Sequence, residues 1–370
     1  MRRDSTHYLP NKSSLNLIKR IFKVIVILIL ICLLSFAGLI GYLTATEYKP
    51  ASVESLNLYG KANKEIKQGE TLKLMTWNIG YGALGDNADF FMDGGDSVIT
   101  SSEKRVKMNL KTISEEIDSE SPDIAMLQEV DKGSRRSYYI NEVTQIGNRA
   151  EGNEYSYARN FKTAFVPYPM PPLGKVDSGL MTMSNIKATS AKRVSLPVSF
   201  KWPERTANLK RCLLVTRTKV GGTDKELVYI NLHLEAYDSG AGKVAQTKAL
   251  NKLLKKEIDK GNYVIAAGDF NQTFNNVNTD AYPVHKNMWK AGTIDISDYD
   301  SSLNFVMDST NPTCRSLDKP LKGSNKSKFQ YYVIDGIIYS SNIEMNYCRT
   351  LELGFKNSDH NPVVAEIKLK

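Results

Sequence analysis

Eight polar residues stand where an apolar strand ends, begins or is interrupted, and their types suit the chemistry of phosphate esters. In "VIAAGDFNQ", residues 264–272, an apolar run closes on Asp269 and Asn271. Asn78 ends "LKLMTWN", Glu129 ends "DIAMLQE", and His233 lies inside "VYINLHLEA". Asp335 is embedded in "YVIDGIIYS", and Asp359 and His360 precede the last apolar run in "NSDHNPVVAEI". Taken singly, each has an ordinary reading as a turn aspartate, a capping asparagine or a satisfied core histidine. Taken together they are costly, because a buried charge without a partner is strongly unfavourable. The economical arrangement has them face one another around a metal ion. Carboxylate and carboxamide oxygens suit a hard divalent cation that keeps several waters.

Such a set has to be positioned by strands, and from Thr71 onward strand-like and helix-like segments alternate. "TLKLMTWN", "PDIAMLQEV", residues 178–184, 210–220 and 225–234, "YVIAAGD", "YYVIDGIIYS", "IEMNYCRTLEL" and "NPVVAEIKL" read as strands. "SSEKRVKMNLKTISEEID" opens on serine caps and spaces Val106, Leu110, Ile113 and Ile117 as a helix does; residues 243–260 also read as helix. Many strands and few helices predict an α/β fold of two packed mixed β-sheets flanked by helices, a four-layer sandwich over residues 71–370. Two irregular stretches, "GYGALGDNADFFMDGGDS" and "FVPYPMPPLGKVDS", read as loops at the rim of a cleft. The four aspartates of the first lack the spacing of a helix–loop–helix calcium site and read as a solvated loop.

The segment before this domain has its own character. Val24 to Thr46 runs 23 residues without a charge, and about 20 apolar residues cross a bilayer core. It is longer than the apolar stretch of a signal peptide, about 7–15 residues, so residues 24–46 are expected to be an uncleaved transmembrane helix. Secretion after cleavage is the alternative. Arg2, Arg3, Lys12, Lys19, Arg20 and Lys23 against Asp4 make residues 1–23 a basic tail that stays in the cytoplasm, with the rest exported. Residues 47–70 are polar and aperiodic and read as a linker. The basic tail takes +5 of the net +9, so the rest of the chain carries only +4 and global charge argues weakly for a polyanionic substrate. Of four cysteines, Cys32 lies in the apolar run, and Cys212, Cys314 and Cys348 show no CxxC spacing, which excludes a zinc cluster of that kind. No pairing follows from their positions.

The ordered set "WN", "LQEV", "SGLMTMSN", "NLHLEA", "GDFN", "IDGIIYS" and "SDHNPV" resembles the endonuclease/exonuclease/phosphatase superfamily, whose best-known member is pancreatic deoxyribonuclease. The resemblance runs from Leu72 to Lys370. It implies a four-layer sandwich and hydrolysis of a phosphate ester with Mg2+ or Mn2+. By resemblance Glu129 is the principal metal ligand, with Asn78 beside it and Asp359 in the inner or outer shell. Asp269 orients or deprotonates the attacking water, and Asn271 holds a phosphate oxygen. His360 binds the phosphoryl group, with Asp335 fixing its tautomer. His233 matches the second histidine of the deoxyribonuclease and sphingomyelinase branches, with Asp177 as its acidic partner. Asp177 and Arg136 are also candidate substrate-binding residues.

Membership does not name the ester. "AAGDFNQT" lacks the tryptophan of the inositol 5-phosphatase branch, and "VIDGIIY" lacks its "PxWCDR" element. His233 and an exported domain argue against an abasic-site endonuclease. Two substrates remain in view. One is a lipid head group, with Phe90, Phe91 and Met92 touching the bilayer. The other is a nucleic acid met by an extracellular nuclease, with Arg135, Arg136, Lys192, Arg193 and Lys201 as a basic surface. A catalytically silent domain that binds a phosphorylated ligand is the reading from another class. The phosphodiester is favoured over the monoester, and no protein partner is inferred.

Overall fold

A computed structural model describes residues 12–149, 152–238 and 240–370; the first part of the basic tail, residues 1–11, lies outside them. The chain forms two compact units, Met1–Glu47 and Tyr48–Lys370. In the first, one helix runs from Lys12 to Ala45, 34 residues, and Leu15–Ala45 is long and apolar enough to cross a membrane. The helix starts well before the apolar run because Lys19, Arg20 and Lys23 are good helix formers and nothing between them breaks it. At 1.5 Å per residue it is about 51 Å long, which exceeds a hydrocarbon core of roughly 30 Å.

In the second unit two mixed sheets carry the fold. One has the strand order Ile343–Thr350, Val363–Leu369, Thr71–Asn78, Ile124–Asp131, Gly174–Ser184, Glu154–Val166 and Tyr59–Gly60. The other runs Val53–Leu56, Ser190–Ser195, Cys212–Gly221, Glu226–His233, Tyr263–Asp269, Asp335–Ser340 and Leu303–Val306, with Ile66–Lys67 beside Cys212–Gly221. Each sheet holds a parallel pair near its centre: Thr71–Asn78 with Ile124–Asp131, and Glu226–His233 with Tyr263–Asp269.

The alternation of each strand builds three apolar layers. Met75, Trp77, Ala125 and Leu127 face the helix Glu103–Glu120 and meet Val106, Leu110, Ile113 and Ile117. Val228, Ile230, Leu232, Val264 and Ala266 meet Leu250 and Leu254 of the helix Ala241–Ile258. Between the sheets lie Leu72, Leu74, Ile124, Met126, Leu227, Tyr229, Tyr263, Ile265 and Ala267. This is the four-layer sandwich expected from the sequence. A fully buried leucine or isoleucine contributes about 1.5–3 kcal/mol, so truncating Leu110 or Ile265, both 0% exposed, costs about 2–5 kcal/mol.

Three parts of the sequence reading change. Residues 47–70 are no free linker: Val53–Leu56 pairs with Ser190–Ser195, Tyr59–Gly60 with Glu154–Val166, and Ile66–Lys67 with Cys212–Gly221. Edge strands of two to four residues leave no apolar period to detect. The 13-residue strand Glu154–Val166 was also hidden, because it buries Ser156, Asn160 and Thr163 rather than an apolar row. "YYVIDGIIYS" splits into Tyr331–Tyr332 and Asp335–Ser340. At the break the Thr313 hydroxyl accepts the N–H groups of Ile334 and Asp335, at 3.0 and 3.2 Å.

Candidate active site

The site is the polar end of the inter-sheet layer. On the inward face of each central strand the residues turn from apolar to polar in the same direction: Leu72, Leu74, Thr76, Asn78; Ile124, Met126, Gln128; Leu227, Tyr229, Asn231, His233; Tyr263, Ile265, Ala267, Asp269. Register places His233 opposite Asp269 and Asp269 opposite Asp335, so three strands deliver one row of chemistry. Gly268 is required beside this row. Its φ is +152°, and a Cβ there would lie 2.0 Å from the carbonyl oxygen of Leu232 on the next strand.

Glu129 reaches the same space by a different device. Regular alternation would turn it to the helix face, but the pairing slips between Leu127 and Val130 and Glu129 takes a left-handed φ of 54°. Such a bulge re-aims one side chain. The Asn78 amide then bridges two acids, donating to Glu129 Oε1 at 3.2 Å and Asp269 Oδ2 at 3.1 Å.

The segment before the last strand supplies Asp359 and His360. Trp77 Nε1 donates to the His360 carbonyl at 2.9 Å, and the Ser358 hydroxyl donates to the Asn78 carbonyl at 2.7 Å. His360 Nδ1 lies 2.8 Å from Asp335 Oδ2, while its Nε2 stands 3.8 Å from Asp269 Oδ2. His233 Nε2 is 3.4 Å from that same oxygen. Asn271, with a left-handed φ of 51°, gives its backbone N–H to Asp269 Oδ1 at 2.8 Å and one side-chain N–H to the Leu234 carbonyl at 2.9 Å.

Burial sets the charges. It pushes Asp269 up to about 7, with the Asp335 charge adding to it, which puts a carboxylate near neutrality where a general base works best. Burial also lifts Asp359 to about 7; His360 opposes the rise and Glu129 adds to it. For His360, burial alone would favour the neutral ring, but the Asp335 carboxylate outweighs it and raises the imidazole well above its ordinary value. His233 goes the other way, held neutral by burial and then by Arg211 and His360.

Two expected residues take other places. Asp177 bonds Arg159 Nε at 2.7 Å, and the carboxylate beside His233 is Asp269. Arg159 lies on the strand next to that of Asp177 and is the partner that compensates it. Arg136 is buried, holds Asp131 with two nitrogens at 3.1 and 3.0 Å, and lies 3.6 Å from the Tyr81 ring centroid. Arg193 is likewise internal and donates to the Arg159 and Lys210 carbonyls. Neither belongs to a basic surface, because main-chain oxygens and a carboxylate draw them inward. All four cysteines are free.

The first long loop holds residues that sequence reasoning left in solvent. Its aspartates are spent separately, Asp86 on Arg105 and Asp89 on the N–H groups of Asp96 and Ser97. Asp93 accepts a 2.8 Å hydrogen bond from the hydroxyl of Tyr237, in the loop after His233. Burial pushes Asp93 up to about 6. The buried Tyr81 hydroxyl has no hydrogen-bond partner among the described residues. Tyr81 lies between two left-handed glycines in "GYG", the one local hint in the sequence that this backbone is folded tightly.

Acidic and histidine groups at this end could hold a divalent cation. Ligand atoms of Asp269, Asp335 and His360 lie within 4.8 Å of one another, and so do those of Cys314, Asp359 and His360. Asp335 Oδ1 is buried without a hydrogen-bond partner among the described residues. Asp335 raises Asp269 and Glu129 raises Asp359, a mutual strain that a cation relieves. Glu129 stands outside both tight groups and is joined to them through Asn78.

The profile of the endonuclease/exonuclease/phosphatase family matches residues 75–343. Among solved structures, an endonuclease/exonuclease/phosphatase from Beutenbergia cavernae DSM 12333 is 19% identical with TM-score 0.50, over 81% of this chain and 72% of that one. D. rerio TDP2 in complex with a single-strand DNA product is 14% identical with TM-score 0.50, over 80% and 99%. A functionally unknown conserved protein from Enterococcus faecalis V583 is 15% identical with TM-score 0.50, over 81% and 100%. No curated protein matches the chain. At these identities the solved structures speak for the shared fold, whereas the profile spans most of the sequence. The chain belongs to the endonuclease/exonuclease/phosphatase family.

Proposed function

We propose that this protein is a divalent-metal-dependent phosphoric ester hydrolase, acting on a phosphodiester of the lipid head-group type and held at the cell membrane by its N-terminal helix. The observation that carries the chemistry is the convergence of Asn78, Glu129, His233, Asp269, Asp335, Asp359 and His360, from strands scattered along the chain, at one end of the inter-sheet core.

Glu129, Asp359 and the oxygen of Asn78 would hold Mg2+ or Mn2+. When bound there, the cation neutralises charge on the phosphate. Asp269 accepts the proton of the attacking water, poised by its raised affinity for protons. Asn271 positions Asp269 through its backbone N–H and offers its second side-chain N–H to a phosphate oxygen. His360, kept protonated by Asp335, donates from Nε2 to charge developing on the phosphoryl oxygens. His233, held neutral, stands 3.4 Å from the same Asp269 oxygen and helps orient it. The long apolar helix supports membrane anchoring, and its flanking Lys19, Arg20 and Lys23 support a cytoplasmic N-terminus.

The test uses full-length protein in detergent with bis-p-nitrophenyl phosphate and Mg2+ or Mn2+. Turnover that stops on chelation and returns with either ion is expected. Wild-type protein inert toward this diester and toward a panel of sphingomyelin, phosphatidylcholine, DNA, RNA and inositol phosphates would favour the silent, ligand-binding reading instead. Cleavage of DNA or RNA alone would favour a nuclease. Against a nuclease stand Arg136 and Arg193, buried and committed to internal partners.

A further inference from the structure

A carboxylate at the mouth of a phosphate-ester site repels the substrate, yet Asp93 stands there. Arg315, which holds the Asp93 loop, donates its backbone N–H to the Asp359 carbonyl at 3.0 Å, and Tyr237, the partner of Asp93, follows Leu234, whose carbonyl accepts from the Asn271 side chain at 2.9 Å. The Asp93 loop is anchored deliberately. Arg315, 1% exposed, donates to the carbonyls of Gly85 at 2.7 Å and Ala88 at 3.4 Å. Phe90 N–H donates to the Leu317 carbonyl at 2.8 Å, and the turn Phe91–Asp93 ends on left-handed Gly94. Asp93 Oδ1 accepts from the Tyr237 hydroxyl at 2.8 Å; Oδ2 accepts no hydrogen bond among the described residues.

Tyr237 is 45% exposed. Trp289 backs it, with ring centroids 6.5 Å apart, and is itself tied down by a 3.0 Å hydrogen bond from Nε1 to the Ala236 carbonyl. The Lys243 ammonium already stands over Trp289, 5.3 Å from its centroid. Tyr237 is therefore the more open ring. A carboxylate oxygen that accepts no hydrogen bond among the described residues, beside a partly exposed aromatic ring, is a combination that suits an ammonium group.

We infer that Asp93 and Tyr237 form a subsite for an ammonium group carried by the substrate, so that the ester hydrolysed is a zwitterionic phosphodiester. This rests on the hydrolase reading above and narrows it. The ammonium neutralises Asp93, and the carboxylate in turn rejects diesters that carry only negative charge.

The test compares two substrates that share the p-nitrophenolate leaving group, p-nitrophenyl phosphorylcholine and bis-p-nitrophenyl phosphate, with full-length enzyme in detergent. Asp93→Asn should raise KM for the choline ester about tenfold or more, as loss of a contact between charged groups implies. It should lower KM for the purely anionic diester, because a repulsive charge is gone. Tyr237→Leu, which leaves the loop anchors in place, should raise KM for the choline ester alone. Tetramethylammonium should compete with the choline ester in wild type and lose its effect in both variants. Equal KM increases for both substrates, or a raised Mg2+ requirement in place of a KM change, would overturn the subsite, assigning Asp93 to loop support or to a cation. Wild-type enzyme that cleaves only the anionic diester also overturns it and leaves the hydrolase reading intact. Cleavage of neither substrate overturns the subsite, and the hydrolase reading falls with it only if the wider substrate panel is refused as well.

Discussion

Gly268→Ala tests whether the row His233–Asp269–Asp335 does the chemistry. The added Cβ would lie 2.0 Å from the Leu232 carbonyl oxygen, whereas ordinary contact begins near 3.4 Å. The strands Glu226–His233 and Tyr263–Asp269 must therefore separate by about 1.4 Å, one residue before the His233–Asp269 pair. The neighbour is backbone, so no side chain can swing aside. Overpacking of this size costs about 1–3 kcal/mol, against a total stability of about 5–15 kcal/mol, so the protein stays folded with a melting point lower by a few degrees. The site suffers more: a misplacement of about 1 Å costs roughly a hundredfold in rate. Steady-state kinetics on bis-p-nitrophenyl phosphate should show kcat down about a hundredfold and KM changed far less, alongside a cooperative thermal transition. Wild-type kcat in a protein that melts normally would refute the reasoning, for either the strands do not need this spacing or the row is not where the reaction occurs.

Asp269→Asn removes the proton acceptor and turns one of the two oxygens that accept from Asn78 and Asn271 into a donor; single-turnover assays should show a loss of at least about a hundredfold. Glu129→Gln should shift the Mg2+ dependence of turnover to higher concentration, and an unchanged titration would remove Glu129 from the ligand set. Glu142 is fully buried, accepts the Asp131 N–H at 2.8 Å, and is raised well above its ordinary value by burial and then by Asp131. Because its folded-state proton affinity exceeds the unfolded one, its contribution to stability declines as pH climbs above the unfolded value. Each unit of separation is worth about 1.4 kcal/mol. Glu142→Gln should thus melt like wild type near pH 4 and above it near pH 8; a constant difference across pH would contradict this.

The site was legible in the sequence to the extent that each residue sits at the end of its own apolar run. Asn78, Glu129, His233 and Asp269 lie at or near the ends of strands whose alternation is visible, Asp335 begins one and His360 precedes the last, and burying charge there is expensive enough to be informative. Partnerships were less legible. Asp177 and Arg159 are neighbours only because the strands Glu154–Val166 and Gly174–Ser184 pair in a register that residue types do not encode. Arg136 reads as surface from its neighbours Arg135 and Ser137, yet Asp131 draws it inside. Asp93 was indistinguishable from Asp86, Asp89 and Asp96 because a loop has no period. Only the contact with Tyr237, 144 residues away, separates it from them.

Beneath the catalytic row the two sheets are joined by a buried polar tie. Gln128 Nε2 donates to Asn231 Oδ1 at 2.8 Å and to Thr76 Oγ1 at 3.1 Å. Asn231 Nδ2 donates to the carbonyls of Leu127 and Met181, both at 3.0 Å. Apolar side chains of the same size would pack there without needing such partners, so stability alone does not account for the tie. Its effect is directional. The apolar layer of leucines, isoleucines and alanines tolerates one sheet sliding on the other, since dispersion contacts re-form after a small shift. Hydrogen bonds at 2.8–3.1 Å do not tolerate it. Asn78 and Glu129 arrive from one sheet, His233, Asp269 and Asp335 from the other, and a slide of 1 Å would open the Asn78–Asp269 contact at 3.1 Å. The polar gradient along the strands thus serves two ends: its outer rank presents the candidate catalytic residues, and its inner rank locks the two halves of the site in register.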